Sequence, residues 1–87
     1  MKLEIKKPTE EEIQEISTCP IWECEPFEFP WSYSETEVCY LLEGKVKVST
    51  DNGEVEFGAG DMVTFPKGLS CNWNVIEKVR KHYRFES

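Results

Sequence analysis

The sequence predicts an all-β fold, a small sandwich or jelly-roll barrel, and three observations carry that reading. Short runs of alternating apolar and polar residues recur along the chain, as strands half-exposed to solvent require. Turn chemistry separates them: Glu43-Gly44, Asp51-Asn52-Gly53 and the stretch Gly58 to Gly68, in which a glycine-aspartate turn and Pro66-Lys67-Gly68 bracket the run Met62 to Phe65. Only one segment reads as a helix. Gly60 takes φ > 0 cheaply, Asp61 can cap its own turn, and Pro66 fixes φ while giving up a ladder donor.

In order, Leu3 to Lys6 alternate and predict a short first strand. Thr9 to Ser17 is the helix: Thr9 is a cap, Glu12 stands at capping-box spacing, and Ile13 and Ile16 form a narrow apolar edge for the barrel's outside. Ile21 to Cys24 and Phe27 to Trp31 are two edge-type strands, because Pro26 and Pro30 each remove a ladder hydrogen bond. Glu37 to Leu42 and Lys45 to Thr50 follow as separate strands. The Asn52-Gly53 pair predicts a hairpin turn with φ > 0 at both central positions. Glu54 to Phe57, Met62 to Phe65, Cys71 to Ile76 and Val79 to Phe85 complete about eight or nine short strands. A single domain over residues 1–87 is expected, with the strand and helix in 1–19 and the β-barrel in 20–87.

A chain of 87 residues buries only about 60–65% of its unfolded surface. That leaves one core and a narrow pocket. The net charge of −7 argues against nucleic acid and anionic membrane as partners. No apolar run approaches the ~20 residues of a membrane span, and Met1 to Pro8 contains no signal-peptide apolar region. Cysteines at 19, 24, 39 and 71 form neither a zinc-type pattern nor a disulfide framework. Reduced thiols in a cytoplasmic compartment are expected, or an organelle reached by way of a removed transit peptide.

Two motifs carry a family resemblance. Glu37, six intervening residues and Gly44 resemble the later half of the first cupin motif; Gly60, five residues and Pro66-Lys67-Gly68 resemble the start of the second. The chain resembles a minimal single-domain cupin of the RmlC-like type. With Trp73 and Val79 to Tyr83 added, it is similar to the branch related to ureidoglycine aminohydrolase. The resemblance covers roughly residues 20–85 and implies fold more than activity, because this barrel hosts unrelated functions.

The departures bear on chemistry. Where a metal-binding cupin has His-x-His before the glutamate, this chain has Trp31 and Tyr33; where the second motif has histidine, it has Cys71. Only Glu37 of four family ligand positions remains, so the three-His, one-Glu site cannot form, and no cofactor is expected. A divalent metal would need an atypical set drawn from Glu37, Cys71 and Tyr33.

By the family comparison, the face carrying Glu37, Cys39 and Leu41 is the barrel interior. Glu37 is then a ligand or general acid/base, or a structural acid hydrogen-bonded to Tyr33 or a backbone amide. Cys71 is a soft ligand or nucleophile, or core filler. Trp31, Tyr33 and Trp73 line a mouth or fill the lumen. If its face is inward, Lys81 pairs with Glu37 or binds a ligand carboxylate; otherwise it snorkels from an edge strand, which the pattern favours. Arg80, His82 and Arg84 lie on the opposite, solvent face. The pocket expected is Trp31, Tyr33, Glu37, Cys39, Cys71, Trp73 and Lys81, binding a small polar, ureide-like molecule. Two alternatives stand beside it: an enzyme of hydrolase, lyase or isomerase type with the atypical metal site, and a structural homodimer pairing through the strands of Trp22 and Phe29.

Overall fold

The computed structural model describes residues 2–86. Seven strands and one helix occur among them: β1 (Glu4–Lys6), α1 (Glu10–Ile16), β2 (Ile21–Cys24), β3 (Phe27–Ser32), β4 (Thr36–Thr50), β5 (Gly53–Gly58), β6 (Met62–Phe65) and β7 (Ser70–Glu86). All pairings are antiparallel. The long strands β4 and β7 pair along nearly their whole length and bend together, so each serves two layers. One layer runs β1-β6-β4-β7-β2 through the first part of β4 and the last part of β7. The other runs β5-β4-β7-β3 through the remaining parts. The result is the jelly-roll type of closed β fold.

The strand count corrects the sequence reading. Glu43-Gly44 and Glu77-Lys78 do not end their strands; pairing continues through them with register shifts between Leu41 and Val46. Gly44 makes the bend feasible. Its φ is +106°, and a Cβ there would lie 2.4 Å from the Lys78 carbonyl oxygen and 2.8 Å from Val79 Cα. Two backbones touch where only hydrogen fits. Gly44→Ala is therefore expected to lower stability by about 2–4 kcal/mol through strain and overpacking, read as a lower urea midpoint at unchanged slope.

The hairpin turn also differs from expectation. No residue other than glycine has positive φ among the described residues, so Asn52 stays right-handed and the left-handed step falls on Gly53, at φ +110°. Thr50 pairs with Gly53, and its hydroxyl accepts from the Asn52 amide at 3.0 Å. The turn at Gly58 to Asp61 matches its sequence. Gly60 has φ +91°, and Asp61 Oδ2 accepts from the Gly58 amide at 2.9 Å. Burial pulls the Asp61 carboxyl upward, but the Lys7 ammonium at 2.7 Å and the Gly58 amide outweigh it, leaving it below the ordinary range.

The helix forms as its caps dictate: the Thr9 hydroxyl accepts from the Glu12 amide at 3.2 Å, and the Glu12 carboxylate accepts from the Thr9 amide at 2.9 Å. Ile16 is fully buried against Val38 and Met62, with Cys19 and Tyr40 around them. Burying that side chain contributes roughly 1.5–3 kcal/mol and covers the outer face of β4 and β6. The same packing corrects His82. Rather than facing solvent, it is 8% exposed, and its Nδ1 donates to the Cys19 carbonyl at 2.9 Å. Arg80 and Arg84 are surface residues, bonded to Glu23 and Glu86. The main core lies between the layers, around Leu41, Val46, Val48, Val63, Phe65 and Val79.

Candidate functional site

Alternation along β4 sends Glu37, Cys39 and Leu41 inward, and all three are buried. Across the ladder, β7 turns Lys81 to the same interior. Lys81 Nζ donates to Glu37 Oε2 at 2.7 Å, with each side chain only 7% exposed. This overturns the snorkelling expectation for Lys81. It also replaces the expected partners of Glu37, which bonds neither to Tyr33 nor to a backbone amide but to the lysine.

Aromatic rings surround the pair. The Lys81 ammonium lies 5.0 Å from the centroid of Trp22 and 4.8 Å from that of Trp73, distances at which indole faces stabilise a cation. Trp73 stands edge-on to Trp22 at 6.0 Å and stacks with Phe29 at 6.0 Å. Tyr33 stacks on Phe65 at 4.7 Å, and its hydroxyl accepts from Trp73 Nε1 at 3.0 Å. Burial raises the Tyr33 phenol far above its ordinary value, with the Glu37 charge adding to the rise; it stays neutral in any usable buffer.

These groups belong to a cavity of about 230 Å³ lined by Trp22, Phe29, Trp31, Tyr33, Glu37, Trp73, Lys81, Tyr83 and Phe85. The cavity opens to solvent on one side and has room for a small metabolite. Trp31 and Phe85 are half-exposed and form its rim. All three tryptophans of the chain line it.

Five of the expected pocket residues therefore meet: Trp31, Tyr33, Glu37, Trp73 and Lys81. Cys39 and Cys71 do not line the cavity. Cys39 is fully buried in the core, and burial pushes its thiol up to about 12 despite the nearby Lys81 charge. Cys71 sits opposite Trp31 in the β3–β7 ladder, and burial, with the Glu37 charge behind it, raises its thiol as well. Trp22, Phe29, Tyr83 and Phe85 were missed. Trp22 and Phe29, on the strands expected to pair in a homodimer, line the cavity. The signal was present, since Phe29 shares a strand face with Trp31, and Tyr83 and Phe85 share one with Lys81.

Of the candidate donors for a metal ion, Glu37 accepts from Lys81 and the Tyr33 hydroxyl accepts from Trp73. Among the described residues no group of three or more His, Cys, Asp or Glu side chains is placed to hold one.

The chain matches the EutQ-like cupin domain over residues 11–83. It belongs to that family. It is similar to a DUF861 family protein from Thermotoga maritima, at 50% identity and a TM-score of 0.92, over 98% of this chain and 100% of that one. It is also similar to the EutQ protein of Clostridium difficile, at a TM-score of 0.69 over 75% of this chain and 52% of that one; at 23% identity this likeness speaks for the fold alone. An acetate kinase EutQ from Clostridioides difficile (strain 630) is 25% identical over 65 residues, 75% of this chain. The cupin domain spans 41% of the length of that curated relative. No helix among the described residues is long and apolar enough to cross a membrane.

Proposed function

We propose that this cupin domain binds a small, uncharged polar metabolite in the aromatic cavity, without a metal, and that the Lys81–Glu37 pair reads its polar end. The observation that carries the reading is a buried ammonium-carboxylate pair facing a cavity otherwise walled by aromatic rings. Pockets of small-molecule binders have this make-up: apolar walls and a few convergent polar groups. A lysine ammonium only donates hydrogen bonds, and a carboxylate only accepts them. Side by side they complement a group presenting a carbonyl oxygen next to an N–H, which is the edge of a ureide or primary amide. Stacking on Trp73, Trp22 or Phe29 holds the flat remainder. This fits the ureide class that the similarity to ureidoglycine aminohydrolase-related cupins implies.

Acetate kinase chemistry, the activity in the name of the longer relative, has less support here. A nucleotide triphosphate needs several cationic or amide donors, and this cavity offers one lysine already neutralised by Glu37.

The test is a titration of intrinsic tryptophan fluorescence with N-ethylurea, acetamide and acetate. N-ethylurea is expected to quench or shift the emission with a dissociation constant of roughly 0.1–1 mM, the range open to a ligand of few heavy atoms. Acetate is expected to bind at least tenfold more weakly because Glu37 repels it, and Glu37→Gln should narrow that gap. No response to any of the three, or equal affinity for acetate and the urea, would refute the reading.

A further inference from the structure

We infer that Lys81 is a carbonyl-reactive nucleophile, forming a reversible imine with a small uncharged aldehyde or ketone held in the cavity. The inference rests on the reading that the cavity admits a small polar molecule, and it adds covalent chemistry to it. Eight lysines occur in the chain. Among them Lys81 alone is buried; it lines the cavity and donates to a carboxylate at 2.7 Å, whereas Lys6, Lys7, Lys45 and Lys78 form their ion pairs at the surface.

That arrangement holds each group imine formation needs. As the carbonyl compound enters, Glu37 acts as general base and takes one proton from Lys81 Nζ, 2.7 Å away, which exposes the nitrogen lone pair. The nitrogen attacks the carbonyl carbon, a C–N bond forms, and the carbonyl π electrons pass to oxygen, which takes up a proton from the nitrogen. The Glu37 carboxylic acid then protonates the resulting hydroxyl, the C–O bond breaks and water departs. The product is a protonated imine on Lys81 beside an ionised Glu37. One ammonium and one carbonyl compound become one iminium and one water, with the +1 charge on Lys81 preserved and no oxidant or reductant required.

The surroundings favour this product over the free amine. The iminium carries the same charge as the ammonium it replaces, so it keeps the Glu37 counter-ion and the Trp22 and Trp73 faces. Glu37 disfavours substrates carrying their own carboxylate next to the carbonyl, which sets the class as uncharged aldehydes and ketones. Cys39 and Cys71 do not compete, because their thiols are held protonated by burial.

The experiment is reductive trapping. The full chain is incubated with butanal and cyanoborohydride, and labelled lysines are located by peptide mass spectrometry. Lys81 is expected to take up one butyl group at least tenfold faster than any other lysine. Glu37→Gln should abolish that preference while the surface lysines label as before, with an unchanged circular dichroism spectrum and a cooperative urea transition showing that the variant stays folded. Butanal binding without reductant is read in parallel from tryptophan fluorescence. Labelling of surface lysines with Lys81 spared would overturn the inference. Reversible butanal binding with Lys81 spared would overturn it while leaving the binding reading standing; neither binding nor labelling would count against both.

Discussion

Replacing Lys81 by methionine destabilises the fold by about 3–5 kcal/mol, the expected consequence of stranding a carboxylate inside the barrel. The ion pair is not a surface contact whose worth is screened away: both side chains are 7% exposed. Losing the lysine leaves Glu37 desolvated and without its 2.7 Å partner. Glu37→Gln should be milder, about 1–3 kcal/mol, because an amide oxygen still accepts from the ammonium. The double variant Lys81→Met, Glu37→Leu should recover most of the loss, since an apolar pair of similar volume incurs no desolvation. Urea unfolding of the four proteins tests this. A single Lys81→Met change worth less than about 1 kcal/mol would mean the pair is solvated and the cavity wet throughout.

Trp73→Ala has a comparable expected effect, about 3–5 kcal/mol, for a different reason. Trp73 is 2% exposed and lies among the rings of Trp22, Phe29, Phe57 and Phe65. Truncation removes all four contacts at once and merges a core void with the functional cavity. It also leaves the buried Tyr33 hydroxyl without the indole N–H that it accepts from. Trp73→Phe separates the two effects: most packing is retained, and the lost hydrogen bond should account for about 1 kcal/mol. Thermal unfolding of the pair would check it. Equal losses for Ala and Phe would make the hydrogen bond, and not the packing, the dominant contribution.

The fold was legible because it is written in short-range chemistry. The Thr9–Glu12 capping box, the Gly60-Asp61 turn and the alternation of β4 each follow from a few neighbouring residues, and each appears as read. Continuity was not legible in the same way. Glu43-Gly44 looks like a turn, and only the approach of Lys78 and Val79 to Gly44 shows it to be a bend in a strand that carries on. The left-handed step at Gly53 instead of Asn52 belongs to the same class, decided by the pairing register and not by the dipeptide.

At the site, alternation placed Glu37 and grouped Lys81 with Tyr83 and Phe85, but it could not say which face of β7 turns inward. The decision comes from the packing of the two layers: Lys81 shares its face with Val79, which is fully buried in the core between them. A lone lysine in an alternating strand favours the solvent by its chemistry, and here a carboxylate 44 positions away reverses that preference. His82 illustrates the converse. Its outward face is correctly inferred, yet the turn after α1 covers it. The prolines of the two proline-flanked strands do mark sheet edges, and alternation along those strands turns Trp22, Phe29 and Trp31 to the cavity.

The account turns on whether the Lys81–Glu37 pair and its aromatic walls receive a ligand, and the three indole N–H groups of Trp22, Trp31 and Trp73 report on it directly. The decisive measurement is an ¹⁵N–¹H correlation spectrum of the indole signals during titration with N-ethylurea, on the wild-type chain and on Glu37→Gln. The account predicts saturable shifts at the Trp22 and Trp73 signals that weaken severalfold or more in the variant. Indole signals that stay in place up to high concentration, or shift equally in both proteins, would contradict it.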